Sequence, residues 1–127
     1  MTEEYPKENI PDEANLFYRV HKQFIIDGQL IPGAFRSKVD GMSTDWDKYA
    51  TADFSLSLSK IPEDNAILSF PVKKIRSEPF MEVEHDPIPT NRAHSLILGV
   101  PEKGELKTKV RATLMRIFEW EIKCKAN

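Results

Sequence analysis

Eight residues separate His85 from His94 in the stretch EVEHDPIPTNRAHSLILG (82–99), which also carries Asp86, Asn91 and Arg92 between two apolar runs. If the loop folds back, the two imidazoles can meet, and with His21 they could offer three nitrogen ligands to a tetrahedral zinc. Without metal, two histidines can act as general acid and base while Arg36, Arg92 or Lys22 stabilises a phosphate, as in cleavage of RNA by its 2′-hydroxyl. Asp86 is a candidate to orient His85, although adjacent residues of a strand point to opposite faces, which works against that pair. The candidate catalytic residues are therefore His21, His85, His94 and Arg36, and the candidate binding residues are Arg19, Asp86, Asn91 and Arg92. The histidine spacing is not diagnostic of a metal, so neither a metal nor another cofactor is assigned.

A structural role competes for the same stretch. Pro87 and Pro89 keep Asp86 and Ile88 out of the helical region, and Asn91 can turn the chain back, so DPIPTN reads as a stiff extended bend with a histidine at each flanking strand end. No Gly-rich phosphate loop, Walker pattern or Gly-x-Ser-x-Gly elbow is present, which argues against ATPase and α/β-hydrolase chemistry.

The elements that must position these residues belong to one domain. The chain has 127 residues, enough to bury a core without staples, and too few for a second folded unit. Eighteen Lys and Arg against twenty Asp and Glu leave a net charge of -2, so no global field favours nucleic acid or an anionic membrane. The single cysteine, Cys124, cannot form an internal disulfide, and the acidic start lacks the basic and apolar regions of a secretory signal; both fit a cytoplasmic protein. The longest apolar runs, such as LIL (96–98), are too short to span a bilayer.

Residues 1–14, charged and holding two prolines, read as a flexible acidic arm ahead of a domain over 15–127. A strand is expected at 16–21, a turn at Asp27-Gly28, and short strands broken at Pro32-Gly33 and Asp40-Gly41. Phe54, Leu56 and Leu58 fit a strand or a helix, and a short helix capped by Thr51 is preferred. A strand at 66–70, a short helix with Pro71 at its first position, and a strand in FMEVEH (80–85) follow. From Leu106, the positions Leu106, Val110, Leu114, Ile117 and Phe118 form one helical stripe, and IFEWEIK ends in a period-two strand. The expected fold class is α+β: a mostly antiparallel sheet of short strands, one main C-terminal helix and one or two short helices.

RVH (19–21) and AFRS (34–37) place an arginine beside strand-like apolar residues. An early Arg- or His-bearing strand followed by a Ser-bearing strand, for which GMSTD (41–45) could serve, is the way an ADP-ribosyltransferase-like fold holds a nicotinamide dinucleotide. No glutamate is identifiable at the required late position. Pairing of Arg19 and Arg36 with Asp40, Asp45, Asp47 or Asp53 is the simpler expectation, and the basic face of the last helix is flanked by Glu102, Glu105, Glu119 and Glu121.

Taken together, LFYRVHKQFIIDGQLIPGAFR, MSTDWDKYAT and HDPIPTNRAHSLILG resemble a family of small uncharacterised bacterial proteins across roughly 16–122. Its pattern runs Arg-Val-His, Ala-Phe-Arg, Ser-x-Asp and His-Asp-Pro-x-Pro-x-Asn-x-Ala-His, the last matched by His85, Asp86, Pro87, Pro89, Asn91, Ala93 and His94. This chain has Arg92 where proline commonly follows the Asn. The resemblance implies a small cytoplasmic bacterial protein acting beside the products of neighbouring genes, and supplies no activity or cofactor. The expectation is a non-enzymatic protein-interaction component of a multi-protein system, with the 85–94 loop on its partner surface. The alternative is a nucleotide- or RNA-acting enzyme, RNase-like or ADP-ribosyltransferase-like, using a His/Arg cluster.

Overall fold

Alternation of apolar Leu16, Tyr18 and Val20 with Phe17, Arg19 and His21 gives a strand one face of which must be covered. A computed structural model, which describes residues 5–38 and 41–125, places that strand, β1, at Asn15–His21. The Asp27-Gly28 pair then forms a two-residue hairpin turn with both residues at positive φ (51° and 77°), the conformation that Asp-Gly tolerates and that matches strand twist. It joins β2 (Ile25–Ile26) to β3 (Gln29–Leu30) in a two-stranded sheet of their own. Pro32–Ala34 form a single 3-10 turn, and Val39 and Asp40, where the sequence predicts another turn, lie outside the described residues.

The main sheet adds β4 (Met42–Trp46), β5 (Asn65–Pro71), β6 (Glu82–His85), β7 (His94–Leu98) and β8 (Glu119–Ile122) to β1, in the order β6-β7-β4-β1-β5-β8. Every neighbouring pair is antiparallel. Among the described residues three α-helices complete the fold: α1 (Ala52–Ser57), α2 (Val72–Arg76) and α3 (Glu105–Ile117). The Thr51 hydroxyl caps α1 by accepting the Phe54 N–H at 3.0 Å, which resolves the ambiguity of that segment in favour of helix. The molecule is therefore the α+β domain expected: an antiparallel sheet with one long C-terminal helix and two short ones. Among the described residues no helix is long and apolar enough to cross a membrane.

The core fills one face of the sheet. Leu16, Tyr18 and Val20 pair with Phe70, Leu68 and Ala66, and all six pack with Phe35 and with Val110, Leu114 and Ile117 of α3. The Phe35 ring meets Phe70 at 5.8 Å and Phe118 at 6.5 Å, so Phe118, which ends α3, still faces the core. Leu106, assigned to the same stripe, is exposed: it sits in the first turn of α3, beyond the edge of the core. Pro71 closes β5 and precedes α2 instead of starting it, and the strand in FMEVEH begins only at Glu82.

One larger expectation is corrected. Residues 5–14 of the supposed flexible arm lie against the domain, with Ile10 and Ala14 buried in the core cluster. Arg76 secures the segment by donating from Nη1 to the Ile10 carbonyl at 2.6 Å and to Asp12 at 2.9 Å. Composition concealed this because two buried apolar residues, Ile10 and Ala14, are enough to dock a segment that is otherwise charged and mostly exposed. Residues 1–4 are outside the described residues.

Candidate functional site

Pairing between β1 and β4 covers only Leu16–Trp46 and Phe17–Asp45. Beyond Phe17 the two strands have no common ladder, and an open cleft of about 630 Å³ lies there. β1 contributes Arg19, β4 contributes Ser43, Thr44 and Asp45, the segment between β3 and β4 contributes Arg36 and Lys38, and the 85–94 loop contributes Ile88, Thr90, Asn91 and His94. Gly41 stands at the rim with φ 118°, where an added Cβ would come within 2.8 Å of the Ile97 carbonyl oxygen, so this position requires glycine.

The loop is built as its sequence suggests. Ile88 and Asn91 exchange backbone hydrogen bonds, Ile88 N–H to Asn91 O at 3.1 Å and Asn91 N–H to Ile88 O at 2.9 Å, around Pro89 and Thr90. Pro89 occupies the first central position of that turn, where its fixed φ is favoured. Asn91 then anchors the loop inward: its side chain donates to Asp45 Oδ1 at 2.7 Å and accepts the Ala93 N–H at 3.0 Å. The second Asp45 oxygen accepts the Ser55 hydroxyl at 2.6 Å, so the buried carboxylate ties loop, sheet and α1 together.

His85 and His94 project from opposite faces. His85 opposes Ser95 on β7, and His94 is the next residue along. The alternation that puts His85 in the interior therefore puts His94 in the cleft. His85 Nδ1 accepts the Glu8 N–H at 3.0 Å and Nε2 donates to the Arg92 carbonyl at 2.7 Å, which leaves neither nitrogen free. Its ring packs between Trp46 and Tyr49. Arg92 belongs to this side as well, its guanidinium 4.2 Å from the centre of the Tyr49 ring. Glu8 accepts from Lys48 and from the Tyr49 hydroxyl, and these two hydrogen bonds hold its carboxyl below the usual carboxylate range.

In the cleft, His94 Nδ1 lies 2.8 Å from the Asp86 carbonyl oxygen and 3.2 Å from Asp86 Oδ2. A carbonyl only accepts, so Nδ1 carries the proton and Nε2 presents its lone pair. Ser43 Oγ is 3.3 Å from that Nε2. Asp86 thus orients His94, not His85. Tyr18 supports the basic side of the cleft: its phenol donates to the Ala34 carbonyl at 2.7 Å and accepts the Arg36 N–H at 3.1 Å, and burial pushes its pKa up.

His21 is elsewhere. It is exposed at the far end of β1, its Nδ1 accepting the Gln23 N–H. Four residues and two strands separate it from His94, about 13 Å along the sheet and about 10 Å across. The three histidines therefore do not converge, and among the described residues no three His, Cys, Asp or Glu side chains gather as a metal site. Of the other candidates, Arg19, Arg36, Asn91 and His94 line the cleft. Among the described residues neither Arg19 nor Arg36 pairs with Asp45, Asp47 or Asp53. Arg19 donates instead to the Ser55 carbonyl at 2.9 Å, and Arg36 stands 5.9 Å from the centre of the Phe24 ring.

Lys38 has no signal in the sequence as a member of a site; Ser43 and Asp45 enter it only through the Ser-bearing GMSTD strand and the Ser-x-Asp pattern, neither of which links them to His94 or Asn91. The alternation in MSTDW puts Ser43 and Asp45 on one strand face, but an exposed serine carries no signal until its cross-strand neighbours are known. Comparison with protein-family models, curated proteins and solved structures found no match for this chain.

Proposed function

We propose that this protein is an interaction component of a multi-protein system and that it engages its partner through the cleft that the 85–94 loop forms with Arg36, Lys38, Gly41 and Ser43. The observation that carries the reading is the cleft itself. It opens where β1 and β4 part, the loop forms one wall, and Arg19, Arg36 and Lys38 supply three cations to the other. A patch of that sign on a chain of net charge -2 selects an acidic partner surface and fixes its orientation. The resemblance to small bacterial proteins and the lone Cys124 support placement in a reducing cytoplasm.

The rival reading, a nucleotide- or RNA-acting enzyme with a His/Arg cluster, draws its support from His94, Arg19 and Arg36 in the shared cleft. The experiment is affinity capture from the native cells with the wild type and with an Arg36→Glu, Lys38→Glu double variant, over a range of salt. Partners retained by the wild type at low salt and lost by the variant support the proposal. Equal retention by both proteins removes the cleft as the interaction surface.

A further inference from the structure

The cleft holds one arrangement that partner binding does not use. Ser43 Oγ, His94 Nε2 and Asp86 lie in sequence on one hydrogen-bonded chain, with separations of 3.3 Å from serine to histidine and 2.8 and 3.2 Å from histidine to the two Asp86 oxygens. The Nδ1 proton is fixed on the Asp86 side, so the basic nitrogen faces the hydroxyl, as activation of a serine requires. His94 is mostly buried while Ser43 is exposed to the cleft, so a substrate can reach the hydroxyl. Ladder pairing with β1 stops at Asp45, and Ser43 lies beyond that point, with no ladder partner on β1.

We propose that Ser43 is a nucleophile activated by His94, that Asp86 is the residue positioning His94, and that the site hydrolyses carboxylic esters bearing an anionic group. In the first step the Ser43 oxygen bonds to the ester carbonyl carbon while its proton passes to His94 Nε2, and the carbonyl electron pair moves onto oxygen. Collapse of that adduct breaks the bond to the alkoxy oxygen, which takes the proton from His94 and leaves as an alcohol. Water then gives a proton to His94 and its oxygen attacks the acyl carbon. The bond to Ser43 breaks, the proton returns to Ser43, and a carboxylic acid departs. The anionic preference follows from Arg19, Arg36 and Lys38, which line the same cleft and attract negative charge to it. The inference rests on the cleft being the working surface of the protein and adds a reaction to it.

The test uses the full chain with a fluorophosphonate probe and two 4-nitrophenyl esters, the hemisuccinate and the acetate. Ser43 should be the labelled residue in peptide mass spectrometry, and hemisuccinate hydrolysis should exceed acetate hydrolysis. Labelling and turnover should vanish in Ser43→Ala and fall at least a hundredfold in His94→Gln, each checked by circular dichroism for a native fold. Asp86→Asn should lose at least tenfold and Asp86→Glu should recover part of it, a rescue that a purely structural role would not give. Arg36→Glu should reduce the hemisuccinate-to-acetate preference. Absence of Ser43 labelling in folded wild type, or labelling that survives His94→Gln unchanged, overturns the activity. Failure of the interaction surface is read by a different measurement, partner capture, so the two readings can fail independently.

Discussion

The His85 imidazole stands edge-on to the Trp46 indole, ring centres 5.0 Å apart and planes at 73°, and links the N-terminal segment to the 85–94 loop through one hydrogen bond on each nitrogen. A buried ring with both nitrogens satisfied is a structural part, and its removal leaves the Glu8 N–H and the Arg92 carbonyl without their partner as well as a cavity. His85→Ala should cost about 2–4 kcal/mol. Urea denaturation at neutral pH measures this, and a loss below about 1 kcal/mol would contradict the assigned role.

His94 should behave differently, because it lies at the cleft and not in the core. His94→Ala should cost about 1 kcal/mol or less, since its hydrogen bonds have access to water that can replace them. The same denaturation experiment, run beside His85→Ala, should rank the two substitutions in that order.

The N-terminal segment is predicted to be part of the folding unit. Ile10→Ala should cost about 2–4 kcal/mol through lost burial and the cavity it leaves. Deletion of residues 1–11 should lower the melting temperature further. A truncated chain as stable as the full one would mean that Ile10 and the Arg76 contacts contribute nothing.

Glu8 gives this docking a pH dependence. Its carboxyl is held below the usual carboxylate range by hydrogen bonds from Lys48 and Tyr49, so the stabilisation is present above the ordinary carboxylate pKa and is lost as the pH falls through the depressed value. Stability should therefore decline on the acid side, and Glu8→Gln should flatten that decline while lowering stability at neutral pH. Limited proteolysis near Lys7, compared at neutral and acid pH, should show the segment releasing earlier in acid in the wild type than the rest of the domain.

Pro89 tests the loop as a preset bend. Pro89→Ala keeps the turn geometry accessible but lets the unfolded chain sample more states, so stability should fall by about 0.5–1 kcal/mol. Calorimetry of the single variant measures the effect.

Local features were legible in the sequence because they are encoded within a few residues. Period-two alternation gave β8, the concentration of apolar and aromatic residues ahead of Asp-Gly gave β1, the Asp-Gly pair gave the turn, Thr51 gave the cap of α1, and the Val110, Leu114, Ile117 stripe gave α3. Each follows from backbone sterics or from side-chain spacing, which need no knowledge of distant chain. The same alternation, carried across the turn, separates His85 from His94 once β6 and β7 are known to pair in the register His85–Ser95. That register is a tertiary fact. So are the place of β4 between β7 and β1, the parting of β1 from β4 after Phe17, and the meeting of Ser43 with His94 across 51 residues of sequence. A one-residue slip in any of these ladders would turn the side chains of that strand to the other face, and nothing local distinguishes the two registers. Burial of the whole core does, which is why the composition of the cleft, unlike the existence of its strands, was decided only when the sheet closed around Leu16, Phe35 and Phe70.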